Sequence, residues 1–199
     1  MHVLSKRSYP QYYMEEFKNF ELKIDVKINQ GGNSGVYVKS QWQEGIYPTT
    51  GFELQVNLSQ QEPQKTGSLY DIIRISEAPH EADEWFTYHI ICNGNRIDVF
   101  INGEMLYYYT DPGQGNPLPI TEQTKRINQS GYIALQQHDP GSSPRFRNIH
   151  VRKLPDWLTV IDMKLYRARH DPFLASPIIF WWFTIGMPRI DQVERLWGR

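Results

Sequence analysis

The stretch FELKIDVKI, residues 20–28, alternates apolar and polar side chains without a fault. Successive side chains of an extended strand point to opposite faces, so the apolar residues share one side and Glu21, Lys23, Asp25 and Lys27 share the other. This period of two predicts an antiparallel strand with one face in a core. The charges on the polar face alternate in sign, so we interpret that face as structural.

Outward from this strand, eight further segments show strand-like patterns bounded by turn residues. They are residues 35–39, 52–58, 69–75, 85–92, 96–101, 105–109, 132–138 and 145–151. Asn93-Gly94 and Asn102-Gly103 are predicted hairpin turns, because both residue types tolerate positive φ. Short strands with almost no helical period before Leu154 predict an all-β sandwich of two antiparallel sheets.

Length and charge limit the domain count and the partners. A chain of 199 residues that is 40% hydrophobic can bury one substantial core, which predicts one domain over residues 1–154 and an extension over 155–199. With 21 basic and 22 acidic residues, the charge balance gives no reason to expect nucleic acid or anionic membrane as a partner. The single cysteine, Cys92, cannot form an internal disulfide.

The extension differs from everything before it. Two stretches of helical spacing flank the apolar run FLASPIIFWWFTIGM, residues 173–187. This run is short for a transmembrane helix and Pro177 interrupts it, so we expect no transmembrane span. It is predicted to pack on the sandwich or on a partner subunit, which makes it a candidate homo-oligomer contact. The loop 110–130 is a candidate rim of a cleft.

A second alternation, GFELQVN at residues 51–57, raises a question about its polar side. Phe52, Leu54 and Val56 share one face, while the carboxylate of Glu53 is followed on the other by two carboxamides. Such a face is either an ordinary solvated sheet surface or the floor of a binding site. Glutamine and asparagine are poor strand formers, and two other strands repeat the choice, which favours a site.

Seven phrases along the chain together resemble one known family. They occur in the order and approximate spacing of the 3-keto-disaccharide hydrolase domain family. The phrases are FKNFELKIDVKI, GGNSGVYVKS, GFELQVN, TGSLYD, DEWFTYHIICNGNRIDVFING, GYIALQQH and FRNIHVRKL. The resemblance covers about Tyr12 to Leu154. It implies a concanavalin A-like jelly roll, a bacterial source and a periplasmic or secreted location, although the first residues, MHVLSKRSYP, lack the apolar region of an export signal. The family's usual first strands, upstream of Met1, are expected to be missing or replaced.

In such a jelly roll the polar faces of neighbouring strands line up to hold a sugar, with Tyr37, Tyr70 or Trp42 offering an aromatic surface. The implied partner is an oligosaccharide or a 3-keto-glycoside. The expected substrate-binding residues are Asn33, Tyr37, Lys39, Gln55, Asn57, Tyr70 and Gln136. Lys39 stands where the family commonly has arginine, and Asn57 where it often has aspartate.

The resemblance also suggests a reaction. A ketone at carbon 3 of the sugar acidifies the proton on carbon 2, so a base can remove it and the group on carbon 1 can leave. Glu53 and His138 are the candidate catalytic residues, and together they are candidate ligands of one divalent metal ion; no organic cofactor is expected. Gln55 and Asn57 occupy the positions where laminarinase-type enzymes carry further carboxylates, so ordinary retaining glucanase chemistry is not expected. The alternative is a non-catalytic carbohydrate-binding module.

Overall fold

The computed structural model describes residues 11–41, 48, 50–111 and 130–156. The chain divides into two compact units, Met1–Leu158 and Thr159–Arg199, and every described residue belongs to the first. Trp42, most of the loop 110–130 and nearly all of the extension 155–199 lie outside the described residues, so the predictions made for them stay predictions. No helix in the described part of the chain has the length and apolar character needed to span a membrane.

The described residues form a four-stranded sheet in the order β1-β8-β3-β4 and a five-stranded sheet in the order β7-β6-β5-β2-β9. The strands are β1 Gln11–Phe17, β2 Phe20–Lys27, β3 Asn33–Ser40, β4 Phe52–Asn57, β5 Phe86–Asn93, β6 Arg96–Ile101, β7 Glu104–Thr110, β8 Gly131–Leu135 and β9 Arg145–Lys153. Every paired neighbour is antiparallel. The predicted all-β jelly-roll sandwich is confirmed.

The core lies between the two sheets. Phe20, Leu22 and Ile24 of β2 are fully buried, and β2 lies between β5 and β9. Val36 of β3 and Leu54 of β4 belong to the same buried cluster from the opposite sheet. Since burial of each large aliphatic side chain contributes about 1.5–3 kcal/mol, the two alternating faces hold the sandwich together.

The polar face of β2 carries an ion-pair group on the outer side of the five-stranded sheet. Glu21 is buried and contacts His89 Nε2 (2.6 Å) and the Arg152 guanidinium. Burial raises the pKa of Glu21, but the hydrogen bonds and charges of His89 and Arg152 outweigh it and lower the pKa to about 2. On this face Glu21 is engaged in ion-pair contacts with residues of the neighbouring strands.

The two predicted hairpin turns differ in detail. Asn102 and Gly103 both have positive φ, 53° and 87°, and connect paired Ile101 and Glu104, as expected. At the other turn Asn93 still pairs with Arg96, so the two connecting residues are 94 and 95. Only the first of them, a glycine, has positive φ (58°), which shifts this turn by one residue from the predicted position.

The predicted strand 69–75 is wrong, because these residues form only isolated bridges and a turn. Residues 67–70 lie along the free edge of β4, where the Gln55 N–H donates to the Ser68 carbonyl (2.9 Å) and the Tyr70 N–H to the Glu53 carbonyl (3.0 Å). The chain then turns back at Asp71, whose φ is 59°, so that a regular strand cannot continue. This irregular segment satisfies backbone groups of β4 that an open sheet edge would leave unpaired.

Two other elements also depart from expectation. β8 ends at Leu135, so residues 136–138 extend beyond the strand that was predicted to contain them. β1 was not among the predicted segments, because QYYMEEF has no clean alternation; its register against β8 shifts between Tyr12 and Phe17. β1 forms an outer strand of the four-stranded sheet.

Tyr88 joins the two sheets through the core. It is fully buried on β5, and its hydroxyl donates to the Gln55 carbonyl of β4 (2.5 Å) and accepts from the Gly67 N–H (2.7 Å). A core position with apolar neighbours therefore contains a hydroxyl that fixes the β4 edge segment. The alternation predicted the burial of Tyr88 and gave no sign of this hydrogen-bonded role.

Tyr88→Phe is expected to lower the free energy of unfolding by about 1 kcal/mol, because it removes both hydrogen bonds of the buried hydroxyl, while the Gly67 N–H keeps its bond to the Gln55 carbonyl (3.1 Å). Urea unfolding followed by fluorescence measures the change. The matched control is Tyr108→Phe, which removes the hydroxyl of an exposed tyrosine on β7 and should change stability by less than about 0.5 kcal/mol. Equal stability of the two variants would contradict the assigned role of Tyr88.

Candidate functional site

The polar faces of β3 and β4 lie side by side in the four-stranded sheet. Tyr37 is opposite Glu53, and Gly35 is opposite Gln55. The chain just after β8 adds Gln136, whose backbone N–H donates to the Gly35 carbonyl (2.9 Å). One step further along the same face of β3 is Asn33. We call this group the Glu53 cluster: Asn33, Tyr37, Glu53, Gln55 and Gln136.

A chain of side-chain hydrogen bonds organises the cluster. The Tyr37 hydroxyl donates to Glu53 Oε2 (2.7 Å), and Gln136 Nε2 donates to the Tyr37 hydroxyl oxygen (3.3 Å). All three side chains are buried, although they are on the face that points away from the core between the sheets. Glu53 is therefore held in a fixed orientation away from bulk water.

Burial changes the acidity of Glu53. Removal from water raises the pKa of its carboxyl to about 7, against the smaller lowering effect of the Tyr37 hydrogen bond. The negative charges of Glu62 and Asp71 also raise this pKa. A carboxyl with a pKa near 7 can accept a proton and return it at neutral pH, which an ordinary surface glutamate does poorly.

Three carbonyl oxygens of the cluster lack hydrogen-bond partners among the described residues. They are Asn33 Oδ1, Gln55 Oε1 and Gln136 Oε1. An unpaired buried acceptor costs about 1–3 kcal/mol, so unsatisfied groups of this kind are rare in structural faces and common where a ligand completes the site. Their grouping around Glu53 argues against the ordinary solvated sheet surface.

Gly35 is a member of this site that the sequence reasoning missed. A Cβ atom built on Gly35 would overlap Glu53 Oε1 and lie 3.0 Å from Glu53 Cγ. The carboxylate therefore lies across the strand at the one position without a side chain. The signal was present in the sequence, since NSGVYVK has a glycine between two polar positions of its strand.

The family follows from the sequence match. A sequence profile of the 3-keto-alpha-glucoside-1,2-lyase-like domain matches residues 4–152. The chain belongs to this family. The match confirms the resemblance found from the seven phrases and shows a carbohydrate-related domain.

Similar solved structures agree on the fold of this lyase-like domain. Two crystal structures from Parabacteroides distasonis ATCC 8503, both described provisionally as glycosyl hydrolases, superpose with a TM-score of 0.59. The first is 23% identical over 71% of this chain and 75% of its own; the second is 25% identical over 70% and 80%. No curated protein matches the chain.

Lys39 is not brought to the cluster of this lyase-like domain. Its φ of 62° breaks the alternation of β3, and the pairing with β8 shifts register between Tyr37 and Ser40. The side chain consequently turns inward, where the ammonium contacts the Lys18 carbonyl and lies 5.9 Å from the Phe20 ring centre. The structure therefore places Lys39 in the interior and apart from the Glu53 cluster, because the strand bulges there.

Asn57 is on the predicted face but is engaged by a loop. Its side-chain nitrogen donates to the carbonyls of Glu62 (3.0 Å) and Gln64 (2.7 Å), and its side-chain oxygen accepts from the Ser59 N–H (2.8 Å). These bonds hold the turn after β4 in place. The geometry therefore gives Asn57 a structural role, and its substrate contact stays a prediction.

Tyr70 and His138 lie apart from the hydrogen-bond chain. Tyr70 is next to β4 through its backbone, but its hydroxyl contacts Glu62 Oε2 (3.3 Å). His138 is exposed, and its Nδ1 is 3.1 Å from Asp139 Oδ2. In the described residues Glu53 and His138 thus have different partners, and His138 is not placed as a catalytic partner of Glu53.

The described residues do not bring the two expected metal ligands, Glu53 and His138, together. Among the described residues there is no group of three or more His, Cys, Asp or Glu side chains that could hold a metal ion. Around Glu53 the cluster offers one desolvated carboxyl and neutral amide oxygens, whereas a carboxylate and imidazole pair was expected. We therefore derive no chemical step through a metal.

Proposed function

We propose that this domain cleaves 3-keto-glycosides, with Glu53 as the base that removes the proton from carbon 2 of the sugar. The observation that carries the proposal is the buried carboxyl with a pKa of about 7, fixed by the Tyr37 hydroxyl (2.7 Å) in a group of unsatisfied polar atoms. Such a carboxyl suits a reaction in which one group removes and later returns a proton.

The composition of β4 supports elimination over direct displacement. A retaining glycosidase needs two carboxyl groups about 5–5.5 Å apart, one as nucleophile and one as acid. The residues two and four positions after Glu53 on the same face are Gln55 and Asn57, and carboxamides cannot exchange protons in this way. A ketone beside the reacting carbon removes the need for the second carboxyl, because it stabilises the carbanion as an enolate.

The reaction balances with one carboxyl. Glu53 takes the proton from carbon 2, the electron pair forms the enolate, and expulsion of the group on carbon 1 gives an enone and an alcohol that takes a proton from water. The hydroxide formed from that water then adds to carbon 1, and the Glu53 carboxylic acid returns a proton to carbon 2. The net result is hydrolysis. Tyr37 keeps the carboxylate in position, and Gln136 keeps Tyr37 in position.

Incubation with a 3-keto-disaccharide in deuterium oxide is expected to release the second sugar and to give 3-keto-glucose labelled at carbon 2. Mass spectrometry at early times, against a protein-free control, measures both. Product unlabelled at carbon 2, together with no primary isotope effect on a substrate deuterated at carbon 2, would overturn the elimination mechanism. A parallel incubation with a chelator tests the metal: turnover should persist, and a loss that is restored by added divalent ions would place a metal in the reaction.

A carbohydrate-binding module is the second candidate, because the three unpaired carboxamide oxygens could hold a sugar without any reaction. Saturable binding of the 3-keto-disaccharide with neither product nor label at carbon 2 would favour this function. The same incubation therefore separates the two candidates.

A further inference from the structure

The unpaired oxygens of the Glu53 cluster all have the same hydrogen-bonding character. Asn33 Oδ1, Gln55 Oε1 and Gln136 Oε1 are acceptors, and the residues that carry them are at least nine-tenths buried. They come from β3, from β4 and from the chain just after β8, so three adjacent segments of one sheet contribute one acceptor each. A ligand that satisfies them must supply hydrogen-bond donors.

The hydrogen-bond chain determines which end of the Gln136 amide is available. The ionised Glu53 carboxylate accepts the Tyr37 hydroxyl hydrogen (2.7 Å), so the Tyr37 oxygen can only accept from Gln136, and Nε2 must be the atom that faces it (3.3 Å). The carbonyl end of Gln136 is thereby left to accept. Asn33 is fixed through its backbone, whose N–H donates to Ser142 Oγ (2.8 Å).

The acceptors lie on both sides of Gly35. Gln55 is opposite Gly35 on one side, and Gln136 bonds to the Gly35 carbonyl on the other. The Glu53 carboxylate lies across the same glycine. The two glutamines are two strand spacings apart, about 9–10 Å between backbones, with the Glu53 carboxylate between them.

The surroundings disfavour negative charge. In the described residues, the bonds of Glu53, Gln55 and Gln136 involve no lysine or arginine side chain. The cation predicted for this face, Lys39, contacts the Lys18 carbonyl in the interior instead. A carboxylate or phosphate on the ligand would therefore meet the Glu53 carboxylate and carbonyl dipoles with no compensating cation.

We propose that Gln55 and Gln136, with Asn33 beside them, form an acceptor edge that binds free hydroxyl groups of a neutral sugar and discriminates against groups that only accept hydrogen bonds. The inference rests on the proposed function only in taking the ligand to be a sugar. A ketone cannot donate, so the carbon 3 carbonyl of the substrate lies away from this edge. Gln55, Gln136 and Asn33 are then specificity-determining residues.

Calorimetric titration with methyl α-glucoside tests the proposal, because this parent sugar has no ketone and cannot react. Its monodeoxy, monofluoro and mono-O-methyl derivatives and the methyl glucuronide are the probes. We expect the fluoro derivative to bind as weakly as the deoxy derivative at one or more ring positions, about tenfold or more below the parent, since fluorine accepts without donating. The glucuronide should bind more weakly than the parent.

The variants Gln55→Leu and Gln136→Leu assign the contacts. Each variant should bind the parent sugar about tenfold more weakly. At the ring position that its glutamine contacts, the hydroxyl and fluoro sugars should then bind with equal affinity. The matched control, Gln30→Leu, changes an exposed loop glutamine and should leave the affinity of every derivative relative to the parent sugar unchanged. Circular dichroism and urea unfolding check that the variants are folded.

Fluoro derivatives that bind like the parent at every position would overturn the acceptor edge, as would a preferred glucuronide or a parent sugar that does not bind. Failure of the proposed reaction is a separate result. Binding that depends on sugar hydroxyl donors, without turnover of a 3-keto-disaccharide, would support the acceptor edge and contradict the proposed reaction. Turnover without such dependence would support the reaction and contradict the acceptor edge.

Discussion

Glu53→Gln is expected to reduce kcat/KM for a 3-keto-glucoside by about 10²–10⁴-fold, the usual contribution of a positioned general base. The glutamine amide has nearly the same shape and its oxygen still accepts from the Tyr37 hydroxyl, but it cannot take a proton. Removing a desolvated carboxyl whose pKa is raised to about 7 should leave stability unchanged or higher. Product release by chromatography and urea unfolding measure the two effects.

The pH profile separates a base from a structural residue. A carboxyl that must be ionised gives a rate that rises with pH and levels off above about 7, where Glu53 has lost its proton. The matched control is Glu62→Gln, which removes a nearby carboxylate that raises the Glu53 pKa. It should keep most of the activity and move the profile to lower pH. Full activity in Glu53→Gln would exclude Glu53 as the base.

The sequence alone predicted much of the fold, because alternation is a local property. FELKIDVKI predicted a buried and a polar face, and β2 has both. The same rule placed Tyr37 and Glu53 on one polar face, and the antiparallel pairing of β3 with β4 sets them opposite each other. Gln136 joined them although it lies just beyond β8, since its backbone continues the pairing with Gly35.

The errors come from places where the backbone departs from a regular strand. Lys39 obeys the alternation in the sequence, but positive φ at that residue turns its side chain to the other side. Residue 138 was assigned to a strand that ends at Leu135, so its direction could not be inferred from the period. Asp71 reverses the chain inside another predicted strand. Such local breaks depend on contacts between distant segments, which a single sequence does not reveal.

The sequence also did not predict that this polar face is buried. Gln55 and Asn57 are both carboxamides and follow each other on one face, yet their side chains have different surroundings. Asn57 is occupied by loop carbonyls, while Gln55 Oε1 has no partner among the described residues. Only the position of the turn after β4 distinguishes them. The sequence therefore predicted which strand face carries the candidate site. Only the folded structure shows which residues of that face belong to the site.

Gly35→Ala is expected to reduce kcat/KM on a 3-keto-glucoside by about 10²-fold or more while the sandwich stays folded. The new methyl group would overlap Glu53 Oε1 and crowd Glu53 Cγ at 3.0 Å, so the carboxylate must leave its place beside the Tyr37 hydroxyl. A displacement of about 1 Å in a catalytic group can cost 10²-fold in rate. Steady-state kinetics and urea unfolding of the variant measure the rate and the fold.

Because Gly35 acts only through the position of Glu53, its effect must depend on that carboxylate. In the Glu53→Gln background the added methyl should cost little further activity, since the base is already absent. The matched control is Gly141→Ala, where the new Cβ meets only Asp139 Oδ1 at 3.2 Å in an exposed turn; its activity should stay near that of the wild type. Additive losses in the double variant would show that Gly35 affects the reaction by another route, and an active Gly35→Ala would mean that the carboxylate need not lie across this glycine.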